Sequence, residues 1–119
     1  MIRAAPLLLL LAACAARSAE ESPFAGRVAG EPVDCIALTP NTRPTIVDAN
    51  TIAYRDGSRL WRTGPRGNCP LRPLDTLIVE VYGSQVCRND RFRTLTPGTS
   101  IPSANCLFDR FTPYTSPDS

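Results

Sequence analysis

The sequence predicts a mainly β domain, a small antiparallel β-meander that closes into a barrel or sandwich and is stapled by two disulfides. Three observations favour this class. No segment keeps a 3.6-residue apolar period, which argues against amphipathic helices. Short β-branched and aromatic runs alternate with Gly, Pro, Asp and Asn, as in small all-β folds. The 119 residues include five cysteines, and small exported domains often rely on disulfides.

The first 13 residues predict a signal peptide. Arg3 precedes an apolar run over residues 4–11 that is about half as long as a bilayer-spanning helix. The run closes on Leu11-Ala12-Ala13-Cys14, which resembles the lipobox of a bacterial lipoprotein signal. The resemblance implies cleavage before Cys14 and acylation of Cys14, with palmitate among its chains. The alternative is an ordinary secretory signal that is cleaved within or after residues 16–19.

Residues 14–33 are small, polar and interrupted by Pro and Gly, so they predict a flexible tether. The residue after Cys14 is Ala15. Lipoproteins without Asp at that position are usually forwarded to the outer membrane. By this resemblance we expect an exported protein, attached to the periplasmic face of the bacterial outer membrane through its lipid.

The β domain is expected over residues 34–111, with a first strand at Cys35. Residues 45–47 predict a strand, and Asp48-Ala49-Asn50 a turn. Residues 51–54 and 59–61 flank Asp56-Gly57, a hairpin signal. With those two residues at the turn, Tyr54 faces Arg59 and Ile52 faces Trp61. We expect Ile52, Tyr54 and Trp61 to face the core, whereas the opposite face of this hairpin is mostly polar.

A Pro- and Gly-rich loop over residues 63–73 precedes the strongest predicted strand, at residues 76–82. This strand ends at Gly83-Ser84, a second hairpin candidate that would place Cys87 beside Glu80. Further strands are expected at residues 91–95 and 106–111. Residues 112–119 predict a frayed tail.

The odd number of cysteines is explained if Cys14 carries lipid, which leaves four for two disulfides. No Cys-x-x-Cys pair occurs, so a zinc or thioredoxin-type site is not expected. Of the three pairings, we favour Cys35–Cys106 with Cys69–Cys87. The first would tie the first strand to the last, and the second would close the hairpin of the central strand.

The composition argues against several functions. All 13 basic residues are Arg, against 11 acidic residues, a balance that does not indicate a nucleic-acid partner. The sequence contains no His, which excludes Ser-His-Asp and Cys-His catalytic arrangements. Asp48 and Asp90 lie where Asp usually caps a turn. We therefore expect no enzyme activity, no metal and no cofactor.

The main charge feature is the run of arginines between residues 55 and 72, which contains a single acidic residue, Asp56. Arg55, Arg62 and Arg66 are the candidate surface for an anionic envelope component or an acidic envelope protein. The alternative is a solvated hairpin face on which Arg59 stacks over Tyr54.

The order of landmarks resembles a family of small, uncharacterised Gram-negative envelope lipoproteins that share a domain of unknown function. The matching residues are Cys35-Ile36, Val47-Asp48 with Thr51-Ile52, Trp61-Arg62, Cys69-Pro70-Leu71, Val86-Cys87 with Asp90, and Cys106. The resemblance implies a non-catalytic, lipid-anchored accessory protein that binds another envelope component. The alternative is a small lipid-anchored inhibitor or ligand-binding module of the lysozyme-inhibitor kind, which has the same size and anchoring.

Overall fold

The computed structural model describes residues 22–117, which form ten β-strands and no helix. In chain order the strands are β1 (Val28–Ala29), β2 (Cys35–Ala37), β3 (Arg43–Asp48), β4 (Thr51–Asp56), β5 (Arg59–Thr63), β6 (Thr76–Val79), β7 (Gln85–Cys87), β8 (Arg91–Leu95), β9 (Cys106–Leu107) and β10 (Thr112–Thr115).

The strands form three antiparallel sheets. The largest has the order β1-β10-β5-β4-β3, a second consists of β2 and β7, and a third has the order β6-β8-β9. The predicted class, a mainly β antiparallel fold with two disulfides, is confirmed. The sheets do not close into a barrel, and their arrangement is compatible with the sandwich form of the prediction. Only β3, β4 and β5 follow one another as a simple meander.

The core lies on one face of the five-stranded sheet. Ile52, Tyr54 and Trp61 are buried in it, as the hairpin pattern predicts. The rings of Tyr54 and Phe108 pack with 6.1 Å between centroids, and those of Phe92 and Phe108 with 4.4 Å. Because Phe92 belongs to β8 of the third sheet, these aromatic contacts join the two larger sheets.

The hairpin between β4 and β5 has a different register from the predicted one. Tyr54 lies opposite Trp61, and Asp56 opposite Arg59, so the turn residues are Gly57 and Ser58. Gly57 has a φ of +63° at the first central position, which suits a type II′ turn. Asp56 stays in the strand, where Oδ2 accepts a hydrogen bond of 2.9 Å from the Thr39 hydroxyl. The shift by two residues leaves the predicted core face unchanged.

The hairpin at Gly83-Ser84 is present, because Tyr82 bridges to Gln85. It does not continue, however, since β6 ends at Val79 and pairs with β8, while β7 pairs with β2. Cys87 therefore lies opposite Cys35 instead of beside Glu80. The predicted strand over residues 106–111 is shorter than expected: β9 ends at Leu107.

Both predicted ends of the domain were wrong. Thr112–Thr115, expected as a frayed tail, form β10 between β1 and β5. In the described part of the predicted tether, Val28–Ala29 form β1, and the Phe24 side chain is buried. β10 pairs with β5 on one side and with β1 on the other. The strands β1 and β10 therefore stabilise each other. The predicted signal, residues 1–13, lies outside the described residues.

All four domain cysteines form disulfides, but the predicted pairing was wrong. The bonds are Cys35–Cys87 and Cys69–Cys106. The topology explains the difference. Cys35 and Cys87 are directly opposed on β2 and β7, with 3.9 Å between their Cα atoms. Cys106 on β9 points inward. Its Cα atom lies 6.2 Å from the Cα atom of Cys69, which belongs to the loop before β6.

Candidate functional site

The candidate site is the outer face of the five-stranded sheet, the face turned away from the core. Because side chains alternate along a strand, the residues beside those of the core face share this surface. Arg43 lies opposite Arg55, and Arg55 opposite Leu60. Leu60 is in turn opposite Tyr114. In the adjacent row, Arg62 lies opposite Ala53. We call this surface the arginine face, defined by Arg43, Arg55 and Arg62.

A small apolar cluster lies between these arginines. It consists of buried Phe24, Ala53 and Leu60, with Val47 and Tyr114 packed against them. The sequence had predicted a mostly polar face here. The difference arises because the segment around Phe24 returns over the sheet and covers Ala53 and Leu60 from outside.

The turn that begins at Ser22 holds Phe24 in place. The Phe24 N–H donates to Ser22 Oγ at 3.1 Å, and the Ala25 N–H donates to the Ser22 carbonyl at 3.2 Å. The guanidinium carbon of Arg62 lies 5.3 Å from the centroid of the Phe24 ring, within the range of a cation–π contact. Phe24 thus connects the N-terminal segment to one of the three arginines.

The three arginines are exposed, and none forms an ion pair with another described residue. Among the described residues, a single ion pair occurs within 4.0 Å, between Arg110 and Asp34, which leaves the arginine face without one. Arg43 Nη1 donates to the carbonyls of Pro40 and Thr42, at 2.8 and 3.2 Å. Like charges directly opposite on neighbouring strands destabilise a sheet, so the Arg43–Arg55 pair carries a cost that a bound anion would offset.

A cavity of ≈ 470 Å³ opens beside Phe24 and Arg62. Val47, Asp48 and Thr51 also line it. The Asp48 carboxylate accepts the Asn50 N–H at 2.9 Å, so this acidic group caps the turn between β3 and β4. The cavity therefore offers one guanidinium and one aromatic ring at the border of the arginine face.

The structure places only two of the three arginines predicted from the sequence on the same face. Arg55 and Arg62 share the arginine face, whereas Arg66 lies by the third sheet. The Arg66 backbone N–H donates to the Leu107 carbonyl at 2.8 Å, and its guanidinium is hydrogen-bonded to Asn89 Oδ1. The place of Arg66 is taken by Arg43, which the sequence interpretation missed. Arg59, expected over Tyr54, lies over Trp61 at 5.0 Å from the ring centroid.

Asp48 and Asp90, which the sequence places at turns, both accept hydrogen bonds from the backbone. Asp48 caps the turn described above, and Asp90 Oδ2 accepts the Cys87 N–H at 2.8 Å. Burial raises the pKa of the Tyr54 hydroxyl far above its ordinary value, and the negative charge of Asp90 adds to this effect. Tyr54 is therefore a neutral core residue over the whole physiological range.

Two signals in the sequence could have located the arginine face. Phe24 is the one aromatic residue in the segment that was interpreted as a tether, and a lone aromatic among small polar residues indicates a packing contact. Arg43 precedes the predicted strand by two residues, and β3 in fact begins there. Extending that strand would have placed Arg43 on the same face as Thr45, which is opposite Ala53.

No family model, curated protein or solved structure matches the chain. Within residues 22–117, no helix is long and apolar enough to cross a bilayer. In the same part of the chain, no group of three or more Cys, Asp or Glu side chains could hold a metal ion. Cys14, the predicted lipidation site, lies outside the described residues.

Proposed function

We propose that this protein is a non-catalytic accessory lipoprotein of the bacterial outer membrane whose arginine face binds an anionic envelope component. The observation that carries the proposal is the placement of Arg43, Arg55 and Arg62 on one sheet face, without an ion pair to any described residue. Guanidinium groups bind phosphates and carboxylates through paired hydrogen bonds.

The phosphates of anionic membrane lipids are the ligand that this arrangement favours. Phe24, which packs on the arginine face, is ten residues after Cys14 (24 − 14 = 10). A segment of that length spans at most about 35 Å when fully extended. A lipid on Cys14 would keep the arginine face within that distance of the bilayer surface. Each arginine near an anionic surface contributes about 1 kcal/mol of attraction.

Vesicle binding tests the proposal. A soluble form that begins at Ala15 is mixed with phosphatidylcholine vesicles that contain or lack phosphatidylglycerol, and binding is measured by co-sedimentation. We expect binding to the anionic vesicles only, weakened by salt. Replacing Arg43, Arg55 and Arg62 with Gln should weaken it about a hundredfold, since three contributions of about 1 kcal/mol are lost.

The matched control removes the same charge elsewhere. Arg66, Arg91 and Arg93 lie in the loop next to β9 and on β8, and replacing these three with Gln changes the net charge equally. This control should keep most of the binding. Equal losses in both triple variants would show that net charge alone is responsible, and the proposed arginine face would be rejected.

A further inference from the structure

The free edge of β6 has unpaired backbone groups along an apolar strand. β6 is an outer strand of the third sheet, paired on one side with β8. Beyond its end, the Glu80 N–H donates to the Arg91 carbonyl at 3.1 Å. Since backbone groups alternate in direction along an antiparallel strand, those of Leu77 and Val79 point away from β8. Neither residue's backbone forms a hydrogen bond on that side to any residue in the described range 22–117.

This edge is short, but it lacks the charges, the proline and the bulge that protect many edge strands. The four residues Thr76–Val79 include no charge and no proline. β3, the outer strand of the five-stranded sheet, differs: it contains Pro44 and a register shift between Ile46 and Asp48. Proline and bulges are the usual protection against added strands. β3 therefore carries a proline and a bulge as protection against an added strand, whereas β6 carries neither.

An apolar groove runs beside the β6 edge. It has a volume of ≈ 290 Å³, and its lining includes Leu38, Pro44, Tyr54, Leu77, Val79 and Val81. This is at or below the smallest volumes typical of small-molecule sites, about 300 Å³. The groove therefore suits a few small side chains better than a complete ligand.

We propose that the β6 edge binds an extended peptide segment of another protein, which adds a strand beside Leu77 and Val79 and places small apolar side chains in the groove. Only a polypeptide backbone matches N–H and C=O groups that recur at every second residue. A second copy of this chain fits less well. A four-residue strand pairs over about 13 Å, too little for the roughly 800 Å² per partner that a stable dimer buries.

The test measures binding of a capped, fluorescent eight-residue peptide of alternating Val and Thr to the full chain in detergent. Fluorescence anisotropy gives the affinity, and hydrogen exchange followed by NMR reports on the amides of Leu77 and Val79. We expect binding, with slower exchange at both amides. Two peptide isomers, N-methylated at odd or at even positions, block opposite edges of the peptide. Their affinities should differ about tenfold or more, because one isomer loses hydrogen bonds to β6.

Variants of Val79 provide a second measurement. Val79→Pro removes an N–H that points away from β8, so the ladder of the third sheet is kept, and binding should weaken about tenfold. Val79→Thr keeps the N–H and the β-branched shape, and binding should stay within about twofold. If Val79→Pro fails to fold, the two methylated isomers decide the question, since they leave the protein unchanged.

Several results would overturn the proposal. Absence of binding, or equal affinity for the two isomers, would exclude strand addition. Self-association that protects Leu77 and Val79 without peptide would assign the edge to a second copy. Binding that appears only after deletion of residues 15–21 would assign the groove to the chain's own N-terminal segment.

Discussion

The ring of Phe24 packs against the ring of Tyr114, with 4.8 Å between centroids and a 50° angle between their planes. Phe24 lies near the start of the described chain and Tyr114 near its end. Together with the pairing of Val28 with Thr115, this contact fixes both ends of the domain to the same sheet. The arginine face is built around this junction, so its geometry depends on the contact.

Phe24→Ala should lower the free energy of unfolding by about 2 kcal/mol, because a nearly buried aromatic side chain is lost from a small cluster. It should also weaken binding to anionic vesicles, since the Arg62 guanidinium loses the ring that it lies against. Urea denaturation measures the stability. Leu74→Ala is the control, since Leu74 is 84% exposed and should change stability by no more than about 0.5 kcal/mol. Equal stability of both variants would contradict the observed packing.

The disulfides should be found as Cys35–Cys87 and Cys69–Cys106 by peptide mapping without reduction. They enclose segments of 52 and 37 residues. In the chain-entropy account, each bond then contributes about 4 kcal/mol, and the two contributions differ by only a few tenths. Replacing either pair with Ser should therefore lower the thermal midpoint by similar amounts. A Cys35–Cys106 peptide would contradict the observed topology.

Gly64→Ala should destabilise the fold by about 1–3 kcal/mol through overpacking. A Cβ at this position would collide with the backbone carbonyl oxygen of Asn50, which cannot move without disturbing the turn before β4. Gly67→Asn is the control, because Gly67 has a φ of +72° with open space around it and Asn tolerates that conformation. Thermal denaturation compares the two. A larger loss for Gly67→Asn would contradict this account.

The stability of the domain should fall as the pH rises above 10.0, the ordinary pKa of tyrosine. Burial raises the pKa of Tyr54 in the folded state. The stabilisation that the neutral Tyr54 hydroxyl contributes is therefore complete below the pKa of tyrosine in the unfolded chain, and it is lost as the pH rises above that value. Ultraviolet absorbance of the wild type compared with Tyr54→Phe should show that Tyr54 ionises only together with unfolding. The same replacement should remove this part of the alkaline dependence. Ionisation of Tyr54 in the folded protein would contradict the prediction.

Cys14→Ser should abolish incorporation of radioactive palmitate and move the protein out of the membrane fraction or leave it as precursor. In the proposed lipoprotein, the apolar chains are attached at Cys14. Stable anchoring needs at least two such chains, so replacing this one residue should remove the anchor. Mass spectrometry of the mature N-terminus provides the second measurement. An N-terminus at Glu20 without lipid mass would show that the ordinary secretory signal is used instead.

Local signals in the sequence were sufficient for the β class, the core face of the β4–β5 hairpin and the strand at residues 91–95. The alternation of Ile52 and Tyr54 with small or polar residues indicates which side of the strand faces the core. The register of this hairpin could not be predicted from local sequence, because Asp56-Gly57 and Gly57-Ser58 are both acceptable turns. Hydrogen bonds from Thr39 and Thr42 to Asp56 decide between them, and those partners are distant in sequence.

Pairings between distant segments could not be predicted. β1 has two residues, and β10 contains Pro113, which weakens the signal of a strand. Neither is recognisable until the other is placed beside it. The same limitation hid the arginine face, because Arg43 and Arg55 become neighbours only through the register of β3 with β4. It also hid the cysteine pairing, which follows from β7 leaving its hairpin to join β2.

The two disulfides interleave along the chain, since the first cysteine of the domain bonds to the third and the second to the fourth. A chain that emerges from its N-terminus exposes Cys35 and Cys69 before the partner of either is available. An oxidant acting in order of emergence would join these two and leave Cys87 with Cys106, and both bonds would be incorrect. Efficient maturation therefore requires that oxidation wait until β2 and β7 have paired, or that an isomerase exchange the early bonds. The yield of native protein should thus depend on thiol exchange more than on the supply of oxidant.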